Sequence, residues 1–307
     1  MTYKTLWQSL APAYEVGEAK AIVDYVLDIR FGMSKADVIC GALDEMPADE
    51  RLALQHIMQR LQQAEPVQYV LGQADFCGRV FAVNPSVLIP RPETEELCHW
   101  IAQEHRHRQH LQVLDLCTGS GCIAITLALA LPQSRVAGFD ISQEALRTAQ
   151  HNAGRLGAEV DFMPVDVLAP MPANRQWDII VSNPPYICDR EKKDMADNVL
   201  RHEPHLALFV PDDDPLRFYR AIAVYAAQTL PPDGQLYLEI NPAHAEETVQ
   251  MLETQRLRNV EIRHDQYGKK RMIRANGTTK RNFSHRYTFF SKILCKFAPQ
   301  RNDLKTK

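Results

Sequence analysis

Between residues 112 and 274 short apolar runs alternate with helical segments, and no other feature restricts the fold of this chain as tightly. The runs at 113–116, 135–140, 160–165, 178–182, 235–240, 260–263 and 271–274 predict strands. Helical stretches separate the first five, for example one from an N-cap at Ser142 to Leu156. A helix between strands is the crossover that parallel pairing requires, so these five are expected to lie parallel. The last two are only a few residues apart, too close for a crossover, and must pair as an antiparallel hairpin. A symmetric six-stranded dinucleotide fold has no place for that hairpin.

What precedes the sheet reads differently. Residues 1–75 predict helices: Ser34-Lys35-Ala36-Asp37 resembles a capping box, and Leu52, Ile57, Met58 and Leu61 keep helical spacing through 49–63. Gly32, Pro47 and Pro66 mark the turns. No catalytic set is evident there, and a small helical bundle, or one that docks a partner, is expected. Residues 76–92 read as a β-hairpin linker. Phe76, Val80, Phe81, Val83, Val87 and Ile89 supply β-formers and Asn84-Pro85-Ser86 the turn, until Pro90 and Pro92 end it. The sheet domain then occupies residues 93–275, and residues 276–307 form a basic tail expected to be disordered.

Composition narrows the class. At 45% hydrophobic and 24% charged residues the chain reads as an ordinary soluble protein, and no run approaches the ~20 apolar residues of a membrane span. The N-terminus lacks a signal-like apolar stretch. Seven scattered cysteines without a CxxC pair argue for free thiols in a reducing, cytoplasmic setting and against a disulfide frame or structural zinc. His99, His105, His107 and His110 lie on a polar stretch and read as a solvated face, so no metal is expected. The net charge of −3 hides an asymmetry, since the tail carries +7 and the rest of the chain −10.

Two motifs carry chemistry. The first, Asp115-Leu116-Cys117-Thr118-Gly119-Ser120-Gly121-Cys122, runs from a strand end into a helix. Gly119 and Gly121 permit a tight turn and a close backbone approach by a ligand. Asp140 ends the next strand, where a carboxylate accepts both hydroxyls of a ribose. Gly119-Ser-Gly121-Cys-Ile-Ala124 also fits a dinucleotide pattern, and a structural glycine turn stays open. Asp115 favours a methyl donor, because an acid there suits the ammonium of an amino-acid-bearing cofactor and repels a pyrophosphate.

The second is Asn183-Pro184-Pro185-Tyr186, directly after a predicted strand. Two prolines fix φ and remove two donors, leaving a stiff loop of acceptors at the carboxyl edge of the sheet. Such a cradle matches an NH2 group, which has two protons to donate. Tyr186 can stack on a planar amide or base. An amide or aromatic amine nitrogen is a poor nucleophile because its lone pair is delocalised. Fixed acceptors on both its protons favour pyramidalisation and stabilise the charge that develops as a methyl arrives.

With these motifs in order, the chain resembles the release-factor glutamine methyltransferases (HemK/PrmC type). The likeness is carried by residues 76–81 (FCGRVF), 87–95 (VLIPRPETE), 115–121, 183–186 and 201–204 (RHEP). It implies a class I S-adenosylmethionine-dependent methyltransferase fold, α/β with a Rossmann-like seven-stranded sheet, behind an N-terminal helical docking domain and a β-hairpin linker. The implied activity is N5-methylation of the glutamine in the Gly-Gly-Gln motif of peptide chain release factors. By position, Cys117, Thr118, Gly119, Ser120 and Gly121 would wrap the methionine part of S-adenosylmethionine and Asp140 its ribose. Asp166 and Val167 would sit by the adenine. Asn183 would bridge cofactor and substrate, and Pro184, Pro185 and Tyr186 would hold the glutamine amide. Cys117 departs from the glycine that many members carry, and a small side chain there is expected to point away from the cofactor.

Alternatives share the second loop. Enzymes that methylate a ribosomal-protein glutamine differ at residues 91–95, which here favour the release-factor type. N6-adenine methyltransferases of nucleic acid face the same nitrogen chemistry, but a body of −10 suits a phosphate backbone poorly. A non-enzymatic ribosome or RNA adaptor leaves the intact loop unexplained. The basic tail, with Phe283, Tyr287, Phe289, Phe290 and Phe297, could make a weak ribosome or RNA contact.

Overall fold

A computed structural model describes residues 1–278. Helices α1 (Tyr3–Leu10) and α2 (Val16–Phe31) lead into α3 (Lys35–Ile39), where Ser34 and Asp37 cap each other's backbone as the capping box requires. After α4 (Ala42–Glu45) come α5 (Ala48–Leu61) and α6 (Val67–Leu71). Their apolar faces meet in a core of Leu6, Leu10, Val23, Leu27, Leu54, Met58 and Leu61. Leu52 is 54% exposed, so the expected stripe is displaced. At 100° per residue Leu54, Met58 and Leu61 share one face of α5, and Leu52 lies on the opposite side.

The linker hairpin also differs from expectation. Strands β1 (Gln73–Phe76) and β2 (Arg79–Ala82) turn at Cys77-Gly78, both at positive φ (48° and 69°), and not at Asn84-Pro85-Ser86. A two-residue hairpin turn needs that left-handed pair, which Cys-Gly supplies without the usual Asn-Gly signature. Val83, Val87 and Ile89 are no strand. They bury with Tyr69, Ala74 and Ala145 in a small cluster, and the Tyr69 hydroxyl donates to the Val87 carbonyl at 2.6 Å.

Helix α7 (Pro92–His105) begins with proline at its first turn, where the missing donor is no loss. The sheet follows in the expected rhythm as far as β5, through β3 (Gln112–Leu116), α8 (Cys122–Ala130), β4 (Arg135–Asp140), α9 (Gln143–Leu156) and β5 (Val160–Pro164). The expected helix before β6 (Ile179–Ser182) is absent: residues 165–178, with prolines at 170 and 172, cross back without one. Ser142 caps α9, accepting from the Ala145 amide at 3.1 Å. A short parallel pair, β7 (Ile187–Cys188) and β8 (Phe209–Val210), brackets α10 (Asp197–His202). Then come α11 (Arg217–Thr229), β9 (Gln235–Glu239), α12 (Ala245–Thr254), β10 (Arg258–His264) and β11 (Lys270–Asn276). No helix among the described residues is long and apolar enough to cross a membrane. Asn276 still belongs to β11, paired with Gln235; the rest of the expected tail, residues 279–307, lies outside the described residues.

The seven strands lie in the order β10-β11-β9-β6-β3-β4-β5; β9, β6, β3, β4 and β5 are parallel, and β11 runs antiparallel to both of its neighbours, β9 and β10. From β3 the chain winds outward through β4 to β5, then returns to the other side of β3 to place β6. The winding therefore reverses between β3 and β6, where open α/β sheets bind ligands. In β6, Ile179 and Val181 face one apolar layer with α7 and α8, and Ile180 faces the other with α11 and α12. Burial on both faces explains why the central strands β3, β6 and β9 read as continuous apolar runs.

Candidate active site

The two motifs leave the sheet side by side. Leu116 pairs with Ser182 at the ends of β3 and β6, and the Ser182 hydroxyl donates to the Leu116 carbonyl at 2.6 Å. Cys117 and Asn183 therefore start neighbouring loops at the reversal point, a proximity set by strand order.

Cys117 (φ 62°), Gly119 (φ 54°) and Gly121 (φ 79°) all lie in the left-handed region. The two glycines need their freedom for different reasons. A Cβ on Gly119 would meet nothing within 4 Å, because that face opens onto a cavity; a Cβ on Gly121 would stand 3.0 Å from Ala149 Cβ and Ile125 Cδ1. Gly121 thus lets α8 and α9 approach and does not line the cavity. Cys117 does line it, while packing against the apolar layer beneath, and burial pushes its thiol pKa upward.

This cavity, about 320 Å³, is walled by Cys117, Thr118, Gly119 and Ser120 on one side and by Asp140, Asp166 and Val167 on another. Asp140 accepts from the amides of Gly119 and Ser142, both at 2.9 Å, and burial raises its pKa against those two bonds. Asp166 accepts from the Leu168 amide at 2.8 Å. Asp115 lies behind the wall, fully buried: its Oδ2 accepts from Thr118 Oγ1 (2.5 Å) and the Ala124 amide (3.2 Å), and Oδ1 has no partner among the described residues. Burial pushes this carboxyl up to about 7, with the charge of Asp140 adding to it. Asp140, Glu144 and Asp166 line the cavity against, among the described residues, a single guanidinium, Arg91, which is bound to Glu203. Such a lining suits a cation and opposes a pyrophosphate.

The linker, read from sequence as a connector, is a wall. Ser86, Val87, Leu88, Pro90, Arg91 and Thr94 line the same cavity. Arg91 donates to Glu203 Oε1 at 2.5 Å and the Ile89 amide to Oε2 at 3.2 Å, so a buried carboxylate ties the linker to the segment that supplies Pro204, Leu206 and Ala207. On α9, buried Asn152 exchanges hydrogen bonds with the backbone of Ala82 (2.7 and 3.0 Å) and donates to the Ser120 carbonyl at 3.0 Å. Hairpin, helix and glycine loop are thereby joined.

Asn183 stands between this cavity and a second one of about 340 Å³, lined by Pro184, Tyr186, Val199, Leu208 and Glu239 among others. Asn183 Nδ2 donates to Thr94 Oγ1 at 3.2 Å, and Thr94 Oγ1 donates to Glu239 Oε2 at 2.6 Å. Tyr186 donates its hydroxyl to Glu239 Oε1 at 3.0 Å, so its side chain is braced against the sheet edge. The Tyr186 carbonyl is occupied by Asn241 Nδ2 at 3.1 Å. Among the described residues no donor reaches Asn183 Oδ1 or the carbonyls of Pro184 and Pro185.

Thr94, Asn152, Glu203 and Glu239 escaped the sequence reading as site residues. Glu239 carried a usable signal, because it ends a parallel strand just as Asp140 does. His105 was expected on a solvated face; it is buried, 3.1 Å from the Tyr237 hydroxyl, because the last turn of α7 rolls onto β9. Burial and nearby Arg108 lower its pKa.

The PrmC N-terminal domain matches residues 5–72 and the Methyltransferase small domain residues 97–206. A release factor glutamine methyltransferase from Bacteroides thetaiotaomicron is 46% identical over 270 residues, covering 88% of this chain and 96% of that one. The chain belongs to the release factor glutamine methyltransferase family. A second member, from Flavobacterium psychrophilum, is 41% identical over 278 residues, covering 89% and 98% of the two chains. The solved protein-(glutamine-N5) methyltransferase (release factor-specific) from Alicyclobacillus acidocaldarius is 28% identical, covers 64% of this chain and 99% of its own, and superposes with a TM-score of 0.40. Membership accounts for the motifs at 76–81, 87–95, 115–121, 183–186 and 201–204, and the seven-stranded α/β sheet is the class I methyltransferase fold.

Proposed function

We propose that this enzyme transfers a methyl group from S-adenosylmethionine to the N5 nitrogen of the glutamine in the Gly-Gly-Gln motif of peptide chain release factors, in the cytoplasm. One observation carries the reading: Asn183 is shared by two cavities, one lined with carboxylates and the other opening on the Asn183–Tyr186 loop.

The residues of the first cavity fit the methyl donor. Asp140 keeps lone pairs for the ribose hydroxyls, and Val167, Leu168, Ile141 and Phe218 offer an apolar bed for adenine. Gly119 leaves space where any other residue would place a Cβ. Asp115, behind the Cys117–Ser120 wall, would favour the ammonium group through its charge and not by contact. Bound there, S-adenosylmethionine supplies a methyl group on a positively charged sulfur.

Where it borders the second cavity, the Asn183–Tyr186 loop supplies acceptors. Asn183 Oδ1 and the carbonyl of Pro184 would take the two protons of the glutamine amide, pinning its plane and drawing electron density onto nitrogen, with Pro185 on the side of the first cavity. The prolines hold these oxygens in place beforehand, so little reorganisation is needed as positive charge develops. Alignment of nitrogen and methyl at about 3–3.5 Å supplies much of the remaining acceleration. No base is needed until the nitrogen has become acidic.

The test is incubation with labelled S-adenosylmethionine and purified release factor, followed by mass mapping, with ribosomal protein and DNA as parallel substrates. One methyl on the Gly-Gly-Gln glutamine is expected; label only on ribosomal protein or DNA would overturn the assignment.

A further inference from the structure

The orientation of the Asn183 amide must be fixed for an acceptor-only cradle to exist. A carboxamide has two orientations of nearly the same shape, one presenting oxygen and the other NH2. Presented with its NH2, Asn183 would face the substrate amide donor to donor.

From the hydrogen-bond chain we infer that Thr94 and Glu239 are positioning residues whose single direction of donation aims Asn183 Oδ1 at the substrate nitrogen. The inference rests on the glutamine-methylating function proposed above and adds to it the group that sets polarity. Glu239 is 1% exposed and, as a carboxylate, can only accept. It takes the Thr94 hydroxyl at 2.6 Å and the Tyr186 hydroxyl at 3.0 Å, one on each oxygen. Thr94 is 2% exposed and has one hydroxyl proton, which is spent on Glu239. Its oxygen can therefore only accept from Asn183, at 3.2 Å, which fixes the Asn183 NH2 toward the sheet and its oxygen away from it. Three elements far apart in sequence, the start of α7, the end of β9 and the loop after β6, converge on this one chain of donation. Tyr186, at the far end of the same loop, hangs on the same carboxylate, so Glu239 sets both the orientation and the stiffness of the loop.

Protonation of Glu239 would reverse the chain. A neutral carboxyl donates one proton, and Thr94 or Tyr186 loses its acceptor. The groups facing Glu239 are Glu93 and Thr94 on α7, Tyr186 after β6, Tyr219 on α11 and Arg271 on β11. Burial and Glu93 raise its pKa, while both hydroxyls and the Arg271 charge lower it, with burial prevailing. The polarity should therefore be lost as pH falls, giving the turnover rate an acidic limb.

Steady-state kinetics on the full chain, with release factor and S-adenosylmethionine varied separately, tests this. Thr94→Val keeps the shape and removes both hydrogen bonds; kcat should drop roughly 10–100-fold with either KM moving less than about threefold. Thr94→Ser should restore most of kcat, and Glu239→Gln should abolish the acidic limb that the unsubstituted enzyme shows. An unchanged kcat in Thr94→Val, an equal loss in Thr94→Ser, or an identical pH profile in Glu239→Gln would overturn the inference. If Thr94→Val does not fold, the Thr94→Ser and Glu239→Gln results still decide it. Absence of any transfer to release factor by the unsubstituted enzyme would instead overturn the function on which it rests.

Discussion

Asp115 is a carboxyl with half its hydrogen bonds made. Thr118 and the Ala124 amide satisfy Oδ2, and among the described residues Oδ1 faces no donor. Full burial then favours the neutral acid, with the pKa near 7 against an ordinary value of 3.8. A ligand cation in the adjoining cavity opposes that preference across the wall, because it attracts the carboxylate and not the neutral acid. The free protein therefore holds more protons than the complex between about pH 5 and 7. Affinity for S-adenosylmethionine should rise with pH across that window and level off above it, with a proton released on binding near pH 6. Calorimetry in buffers of different ionisation enthalpy measures that release directly. Asp115→Asn should lose both the release and the slope, and retention of either would remove Asp115 from the cofactor's surroundings.

The loop from β3 to α8 separates two duties that its glycines share in name only. Gly121 closes the α8–α9 contact, where an added methyl meets Ala149 and Ile125 at 3.0 Å. Gly119 borders open space on the cavity side. Both conformations are left-handed, at a penalty of about 1–2 kcal/mol for a residue with a Cβ. Gly121→Ala adds overpacking of about 1–3 kcal/mol, so its main effect should be a lowered unfolding midpoint. Gly119→Ala should lose only the smaller backbone share in stability and at least tenfold in cofactor affinity. Denaturation and calorimetry on the pair distinguish the two roles; a larger loss of stability in Gly119→Ala would contradict the assignment. Cys117 holds a similar φ without being glycine, so the loop already tolerates one such residue where its thiol finds an apolar seat.

Much of this architecture was legible from residues alone. The central strands read as apolar runs because they are covered on both faces, and the caps at Ser34 and Ser142 announce their helices by local chemistry. The closing hairpin followed from the short gap between β10 and β11. Strand order was not legible, and it alone sets Leu116 beside Ser182 and joins the two motifs into one site. The Thr94–Glu239–Tyr186 junction was hidden for the same reason, since its members lie up to 145 residues apart. The turn at Cys77-Gly78 was missed because cysteine seldom takes a left-handed φ. The linker's part as a cavity wall depends on long-range contacts from Arg91 to Glu203 and from Asn152 to Ala82.

The arrangement holds together only if Asn183 serves the reaction more than it serves binding. Single-turnover methyl transfer by Asn183→Ala, set beside its calorimetric affinity for S-adenosylmethionine, measures this most directly. The rate should fall by about 10²–10³ or more, as for loss of a preorganised polar group, with affinity within about tenfold of the unsubstituted enzyme. Equal losses in rate and affinity, or a rate left intact, would contradict a stiff acceptor at the junction of the two cavities.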